Sequence, residues 1–181
     1  KPIEAGAYLS DFAKLMRHII ENSKEEYISL GEEIETMQYY IQLQKLRFED
    51  NFQHEFNIDK NLETEDVLIP PMLTQPFIEN ALEHAFKKSK KDNNLFVRYT
   101  RLNGYLQVEV EDNGIGRKEA MSAKKDNHKS FAISVTKSRL EKLNRRKKNK
   151  IHFEMIDLIS ECGNPEGTKV KFSIPIKYST S

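Results

Sequence analysis

The sequence predicts an α+β fold in which two amphipathic helices precede a two-layer α/β sandwich, with helices on one face of a mixed sheet. Over the first fifty residues, apolar side chains recur every three or four positions, which is the helical period. From residue 52 onward they alternate with polar residues in several short segments, as in half-buried strands. Helical segments are inserted between the groups of strands, and this order favours helices packed on one face of the sheet.

The composition is that of one packed domain with a helical appendage. A chain of 181 residues exceeds the common domain size of about 100–150 residues but leaves little room for two domains. We therefore predict a helical segment over residues 1–50 and one α+β domain over residues 51–181. With a formal net charge of +1, the chain as a whole has no strong electrostatic attraction to nucleic acid or anionic membranes. The single cysteine, Cys162, excludes an internal disulfide framework and suits a reducing compartment.

Two helices lead the chain. The first is predicted from Ala5 to about Asn22, and the second begins near Ser29, whose hydroxyl can cap it while Glu32 returns the bond three residues later. Their apolar faces require burial against each other, against a missing helix or across a dimer, which predicts a homodimer of the intact protein. The sequence opens at Lys1 directly on the first helix, so we expect it to be a fragment of a longer protein. No apolar run approaches the ~20 residues that cross a bilayer.

The sandwich follows in a regular order. A strand over Phe52–Ile58 precedes a helix that Pro70-Pro71 opens and that ends near Phe86, since proline is tolerated in a first helical turn. A hairpin of two strands turns at Asn103-Gly104, a dipeptide suited to tight turns. The remaining predicted elements are a polar surface lid over Asp112–Ser130, a helix from Phe131 to about Arg146, and a closing strand pair over Ile151–Ile159 and Thr168–Ile176.

The predicted helix before residue 86 has a concentration of polar residues on one side, formed by Glu79, Asn80, Glu83 and His84. Carboxylate and amide oxygens are the ligands that Mg²⁺ prefers, together with phosphates and water. The pattern therefore indicates a helix that can hold a nucleotide-bound metal. An ordinary solvated helix face is the alternative, because exposed polar residues need no function.

A second group of candidate residues lies at strand ends. Asp112 directly follows a strand and can accept a hydrogen bond from an adenine amino group, while Gly114 and Gly116 let the backbone approach a ligand. A simple turn is the alternative. Thr168, after Gly167, can add a hydroxyl to a base-binding network, or can merely follow a turn into the last strand.

Along the chain, the helix bearing Glu79 and Asn80 is followed by a hairpin, Asp112 with its glycines, a polar lid, a helix and Thr168. With this order of features, the chain resembles the ATPase domain of the GHKL superfamily, which is shared by DNA gyrase, a class of heat-shock chaperones, histidine kinases and MutL repair proteins. It is most similar to sensor histidine kinases of the LytS/YehU type, and the resemblance covers nearly the whole chain. The residues that carry it are Ile69–Ala81, Leu30–Glu35, Tyr39-Tyr40 and Arg47-Phe48. The resemblance implies a Bergerat-type ATP-binding fold and transfer of phosphate from ATP to histidine.

The resemblance also implies roles for individual residues. Asn80 would coordinate Mg²⁺, Glu79 would orient the metal, water or attacking imidazole, and His84 would line the phosphate side. Asp112 would bind the adenine amino group and Thr168 would support the adenine end. Gly114 and Gly116 would shape the pocket and the start of the lid.

Two departures from the family pattern matter. No glycine lies between Gly116 and Gly163, where the family usually has a second glycine box. We therefore expect amides at the start of the following helix to bind phosphate, with help from Ser130, Lys124, Lys125 and Lys129. A degenerate nucleotide-binding or dimerisation scaffold is the alternative. The phosphoacceptor Pro-His-Phe motif is also absent, and His18 is best interpreted as an ordinary surface histidine. We therefore expect no autophosphorylation by these residues alone.

The resemblance implies partners for the intact protein. It would act in a bacterial two-component phosphorelay, pass phosphate to a response regulator, and be anchored in the membrane only through upstream segments, with this region in the cytoplasm. A nucleic-acid binder is a poor alternative. The basic clusters Lys87–Lys91 and Arg145–Lys148 are the features that suggest nucleic-acid binding. The net charge is nearly balanced, however, and the sequence shows no evident group of aromatic residues on which bases could stack.

Overall fold

The computed structural model describes residues 2–47, 51–86, 92–117, 128–145 and 147–179. The chain forms two compact units. The first comprises residues 1–51, 62–75 and 177–181, and the second comprises residues 52–61 and 76–176. The predicted domain boundary after residue 50 stays a prediction. Among the described residues, no helix combines the length and the apolarity that crossing a bilayer requires.

The first unit is built on two packed helices, α1 (Pro2–Asn22) and α2 (Leu30–Arg47), with the short strand β1 (Ile28–Ser29) between them. The predicted cap of α2 is confirmed. The Glu32 amide donates to Ser29 Oγ at 3.1 Å, and the Ser29 amide donates to Glu32 Oε2 at 2.9 Å. This reciprocal capping box supplies bonds to two amides near the start of the helix.

A small antiparallel sheet completes the first unit, and the sequence did not predict it. Its strands are β1, β3 (Val67–Ile69) and β8 (Lys177–Tyr178), in the order β1-β3-β8. Ile28 pairs with Ile69, and Val67 pairs with Tyr178. Strands of two or three residues are too short to show a period, so alternation cannot reveal them.

The second unit contains the predicted sheet of five strands. Its order is β2-β4-β5-β7-β6, with β2 parallel to β4 and every other pairing antiparallel. The strand bounds are β2 (Gln53–Ile58), β4 (Asn94–Leu102), β5 (Tyr105–Asp112), β6 (His152–Ile159) and β7 (Pro165–Pro175). The predicted hairpin is confirmed: Asn103 and Gly104 both have positive φ, at 50° and 80°. The mixed sheet agrees with the predicted α+β class.

The two faces of this sheet differ in chemistry. One face is apolar, and Phe77 from helix α3 (Gln75–Asn80) packs on it, with its ring centroid 5.5 Å from Phe153 and 5.7 Å from Phe172. The other face carries a cross-strand ion network of Arg98, Glu109, Glu111, Lys169 and Lys171. Partial burial acts to raise the pKa of Glu111, but bonds from Lys169 and Arg98 lower it overall. The observed alternation therefore matches helices on one face.

Three predicted element bounds were wrong. Helix α3 begins at Gln75 rather than at Pro70-Pro71, because residues 70–74 form a turn in which Met72 has a φ of 52°. Helix α4 runs from His128 to Asn144, so it includes the end of the predicted lid. Strand β7 begins at Pro165, before Gly167 and Thr168. Most of the predicted lid, residues 118–127, lies outside the described residues.

Candidate functional site

Asp112 and Thr168, the two residues predicted at the adenine end, lie directly opposite each other. Asp112 is the last residue of β5, and it pairs with Thr168 of β7 on one side and with Leu95 of β4 on the other. Cross-strand partners point to the same face of a sheet. The next pair on that face is Val110 with Val170, on the apolar side. Asp112 is 8% exposed, so a carboxylate lies at the end of a buried, helix-covered face.

The turn after Asp112 is held by side-chain hydrogen bonds. Asp112 Oδ1 accepts a bond from the Gly114 amide at 3.0 Å. Asn113 Oδ1 accepts from the Asn94 amide at 2.7 Å, and Asn113 Nδ2 donates to the Asp92 carbonyl at 2.7 Å. Asn113 was not among the predicted site residues, because asparagine is common in turns for local reasons. Here it connects the end of β5 to the start of β4.

Two glycines allow close approach of the loop and β7. Gly167 has a φ of 135°, and a Cβ there would overlap the Asp112 carbonyl oxygen and lie 2.9 Å from Asn113 Cα. Gly116 has a φ of 73°, and a Cβ there would lie 2.9 Å from the Pro165 Cβ. Residues other than glycine rarely adopt these backbone conformations. The glycines therefore fix how the 112–117 loop lies against the first residues of β7.

An ion pair fastens the far end of this loop. Arg117 Nε lies 2.6 Å from Asp157 Oδ1, and a second guanidinium nitrogen lies 2.8 Å from Oδ2, which is a bidentate pair. Asp157 is the cross-strand partner of Thr168. The pair also lies at a cleft lined by Gly116, Arg117, Asp157, Leu158, Ile159, Gly163, Pro165 and Gly167. Forty residues separate the partners in sequence, so no local pattern could have predicted this contact.

Glu79 and Asn80 form a second group, at the end of α3. Both side chains are half-buried. Directly after Asn80 the helix widens into a π-helical segment, Ala81–Phe86. Such segments are rare and are frequent at functional sites. Because Phe77 of the same helix packs on Phe172 of β7, α3 lies over the sheet face on which Asp112 and Thr168 lie.

Two predicted residues are located by their backbone alone. His84 belongs to the π-helical segment, and Ser130 lies in the first turn of α4. Their side chains are outside the described part of the structure, as is the side chain of Lys129. Lys124 and Lys125 lie outside the described residues altogether. The structure thus brings together Asp112, Gly114, Gly116 and Thr168, and it places Glu79 next to Asn80 on the helix that covers the same face.

Comparisons with known proteins identify the family. Residues 1–52 match a family model described as histidine kinase. The sensor protein LytS of Staphylococcus haemolyticus is 32% identical over 178 residues, which cover 95% of this chain. The chain belongs to the LytS-type sensor histidine kinases. It spans 29% of the length of that LytS and corresponds to the catalytic region of these two-component sensors.

Solved structures of histidine kinases share the fold of this LytS-type region. The histidine kinase domain of a blue-light activated kinase from Erythrobacter litoralis superposes with a TM-score of 0.59 at 18% identity, covering 93% of this chain and 75% of that one. The catalytic domain of the histidine kinase ThkA, in a nucleotide-free form, gives 0.53 at 13% identity, covering 84% and 97%. The α+β fold predicted from the sequence is therefore confirmed.

Proposed function

We propose that this region binds Mg²⁺-ATP and transfers its γ-phosphate to a histidine outside residues 1–181. Membership of the histidine kinases implies ATP binding in general. The observation that carries the proposal here is the pairing of Asp112 with Thr168 at the end of the apolar sheet face, beneath α3. A carboxylate and a hydroxyl at one end of an apolar surface suit a flat base with a polar edge.

The base end is proposed to use the 112–117 loop. Asp112 would accept a hydrogen bond from the adenine amino group, since a carboxylate offers several acceptor positions. Thr168 would extend that network from the neighbouring strand. Gly114 and Gly116 would shape the adjoining surface, and the ion pair between Arg117 and Asp157 would keep the loop in place.

The phosphate end is proposed to use α3 and α4. The Asn80 carboxamide oxygen is a hard ligand that fits Mg²⁺, and the neighbouring Glu79 carboxylate suits orientation of the metal, of water or of the attacking imidazole. Ser130 and the first amides of α4 would contact phosphate, because helix N-termini favour anions. His84 would line the same side. Bound Mg²⁺ would neutralise phosphate charge, and the protein would mainly position the reactants.

The intact protein is proposed to be a homodimer whose helical segment, residues 1–50, adjoins the region that carries the acceptor histidine. Exposed apolar residues on α1, including Leu9 at 65% and Ile20 at 52%, support this view. The phosphate would pass to a response regulator, and upstream segments would anchor the protein in the membrane with this region in the cytoplasm. Residues 1–181 alone should not become phosphorylated.

Calorimetric titration of a non-hydrolysable ATP analogue with Mg²⁺ tests the proposal. Asp112→Asn keeps an oxygen for the Gly114 amide but removes the charge, so affinity should fall about 10- to 100-fold, the equivalent of one charge-assisted hydrogen bond. Asn80→Ala should weaken the increase in affinity that Mg²⁺ produces. Asp66→Asn, an exposed aspartate in the first unit, is the matched control and should leave binding unchanged.

A degenerate scaffold is the second candidate, and the absence of glycine between residues 117 and 162 favours it. No binding of the analogue by the wild-type chain would contradict the kinase proposal and support the scaffold. Binding without transfer of radiolabelled phosphate to an added upstream segment that bears a Pro-His-Phe motif would contradict the transferase part alone.

A further inference from the structure

The most buried carboxylate among the described residues lies in α2, in the first unit. Glu33 is fully buried, at 0% exposed. Its Oε2 accepts a bond from the Met72 amide at 2.8 Å, and its Oε1 accepts from the Leu73 amide and the Thr74 hydroxyl, each at 3.2 Å. A buried carboxylate is costly unless several hydrogen bonds compensate its lost hydration. Here donors on three consecutive residues offset part of that cost.

These bonds shape the 70–74 turn. Met72 has a φ of 52°, which a residue other than glycine adopts only when its surroundings hold the backbone in that conformation. Without the Glu33 carboxylate, the Met72 and Leu73 amides would lose their acceptor in the interior. Burial acts to raise the pKa of Glu33, and the three neighbouring residues oppose that rise through their hydrogen bonds. The carboxylate and the turn therefore depend on each other.

The 70–74 turn leads directly into α3. Thr74, whose hydroxyl Glu33 binds, immediately precedes the first residue of that helix, Gln75. Glu79 and Asn80 follow four and five residues later on the same helix, within about 8 Å along the helix axis. The turn that Glu33 binds is therefore the segment through which the chain enters α3.

We propose that Glu33 is a positioning residue for the candidate ATP site, because its bonds to residues 72–74 set where α3 begins and hence where Glu79 and Asn80 lie. This inference rests on the proposed function. It assigns a role to a residue of α2, which belongs to the segment that matches the histidine kinase family model. Displacements of about 1 Å at such groups have large effects on activity.

Glu33→Gln and Thr74→Val test the inference in the 181-residue chain, and Glu35→Gln is the matched control. Glutamine at position 33 keeps one acceptor oxygen, but its NH₂ group would face a backbone amide that also donates. Valine at position 74 removes only the hydroxyl that donates to Glu33. Glu35 lies on the same helix, is 51% exposed and accepts a bond from Tyr39. Two measurements are made: amide hydrogen exchange over residues 72–80, and the affinity of the ATP analogue with and without Mg²⁺.

We expect faster exchange over residues 72–80 in Glu33→Gln. We also expect about tenfold loss of affinity with Mg²⁺ against less than about twofold without it, because the 72–74 turn leads into the helix that bears Asn80, whereas Asp112 lies on β5. Thr74→Val should show the same changes at smaller size, and Glu35→Gln should show neither. Equal losses with and without Mg²⁺ would indicate general destabilisation and overturn the inference. If Glu33→Gln fails to fold, unchanged exchange and an unchanged Mg²⁺ ratio in Thr74→Val would overturn it.

The proposed function and this inference fail separately. A wild-type chain that does not bind the analogue would contradict the proposed function. The exchange measurement needs no nucleotide, so it still determines whether Glu33 controls the start of α3. Unchanged exchange over residues 72–80 in a folded Glu33→Gln chain would refute that control even if the analogue binds.

Discussion

Replacement of Gly167 by alanine should be among the most damaging single changes to the second unit. A Cβ at this position would overlap the Asp112 carbonyl oxygen and lie 2.8 Å from its carbon. Both atoms are backbone, so no side chain can rotate away. The φ of 135° alone costs a non-glycine residue about 1–3 kcal/mol. Displacing the backbone of β5 adds about 1–3 kcal/mol, as overpacking does. We expect a total loss of about 3–5 kcal/mol.

Gly163→Ala is the matched control, since Gly163 lies in the same hairpin with a φ of 81° and no atom within 4 Å of its Cβ position. It should cost only about 1–2 kcal/mol, the penalty for a left-handed residue. Amide hydrogen exchange of β5 and β7 measures both losses locally, which matters because a chain of two units need not unfold in one step. The reasoning is refuted if Gly167→Ala destabilises these strands no more than Gly163→Ala does.

Three further predictions follow from hydrogen bonds and charges. Arg117→Ala and Asp157→Ala should show a coupling of about 1 kcal/mol in a double-mutant cycle of unfolding free energy, and additive effects would contradict the ion pair. In urea titrations, Ser29→Ala should lower the unfolding free energy by about 1 kcal/mol through loss of the α2 cap, whereas Ser29→Thr should lower it much less. Burial raises the pKa of Glu33, so the folded state holds this proton more tightly than the unfolded state. The resulting contribution to stability should be full below the ordinary glutamate pKa and be lost as pH rises through the folded-state pKa, and Glu33→Gln should lack this dependence.

The principal helices and strands could be predicted because their signals are local. The Ser29 cap, the alternation along β2, β4 and β5, and the Asn103-Gly104 turn all depend on residues close in sequence. The start of α3 could not be predicted, because it depends on Glu33, about forty residues earlier in the chain. Proline favours the first turn of a helix only statistically, and here the hydrogen bonds to Glu33 hold residues 72–74 in a turn instead.

The candidate site shows the same division. The order of strand, Asp112 and glycines predicted a pocket, and the structure places Asp112 opposite Thr168. The bond between Arg117 and Asp157 has no local signature, because an arginine and an aspartate at unrelated positions look like ordinary surface charges. Gly167 was predicted as a turn residue, but its close approach to the Asp112 carbonyl becomes evident only when two strands are paired.

The pairing of β8 with β3 has a consequence for synthesis of the chain. The first unit takes its helices from the first 51 residues, yet its small sheet includes Lys177 and Tyr178. On the ribosome, α1 and α2 can form early from local contacts, while β3 keeps one unpaired edge until those late residues emerge. A nascent chain stalled before residue 177 would therefore expose that edge to other chains. Emergence of Lys177 and Tyr178, rather than emergence of the helices, completes the small sheet of the first unit.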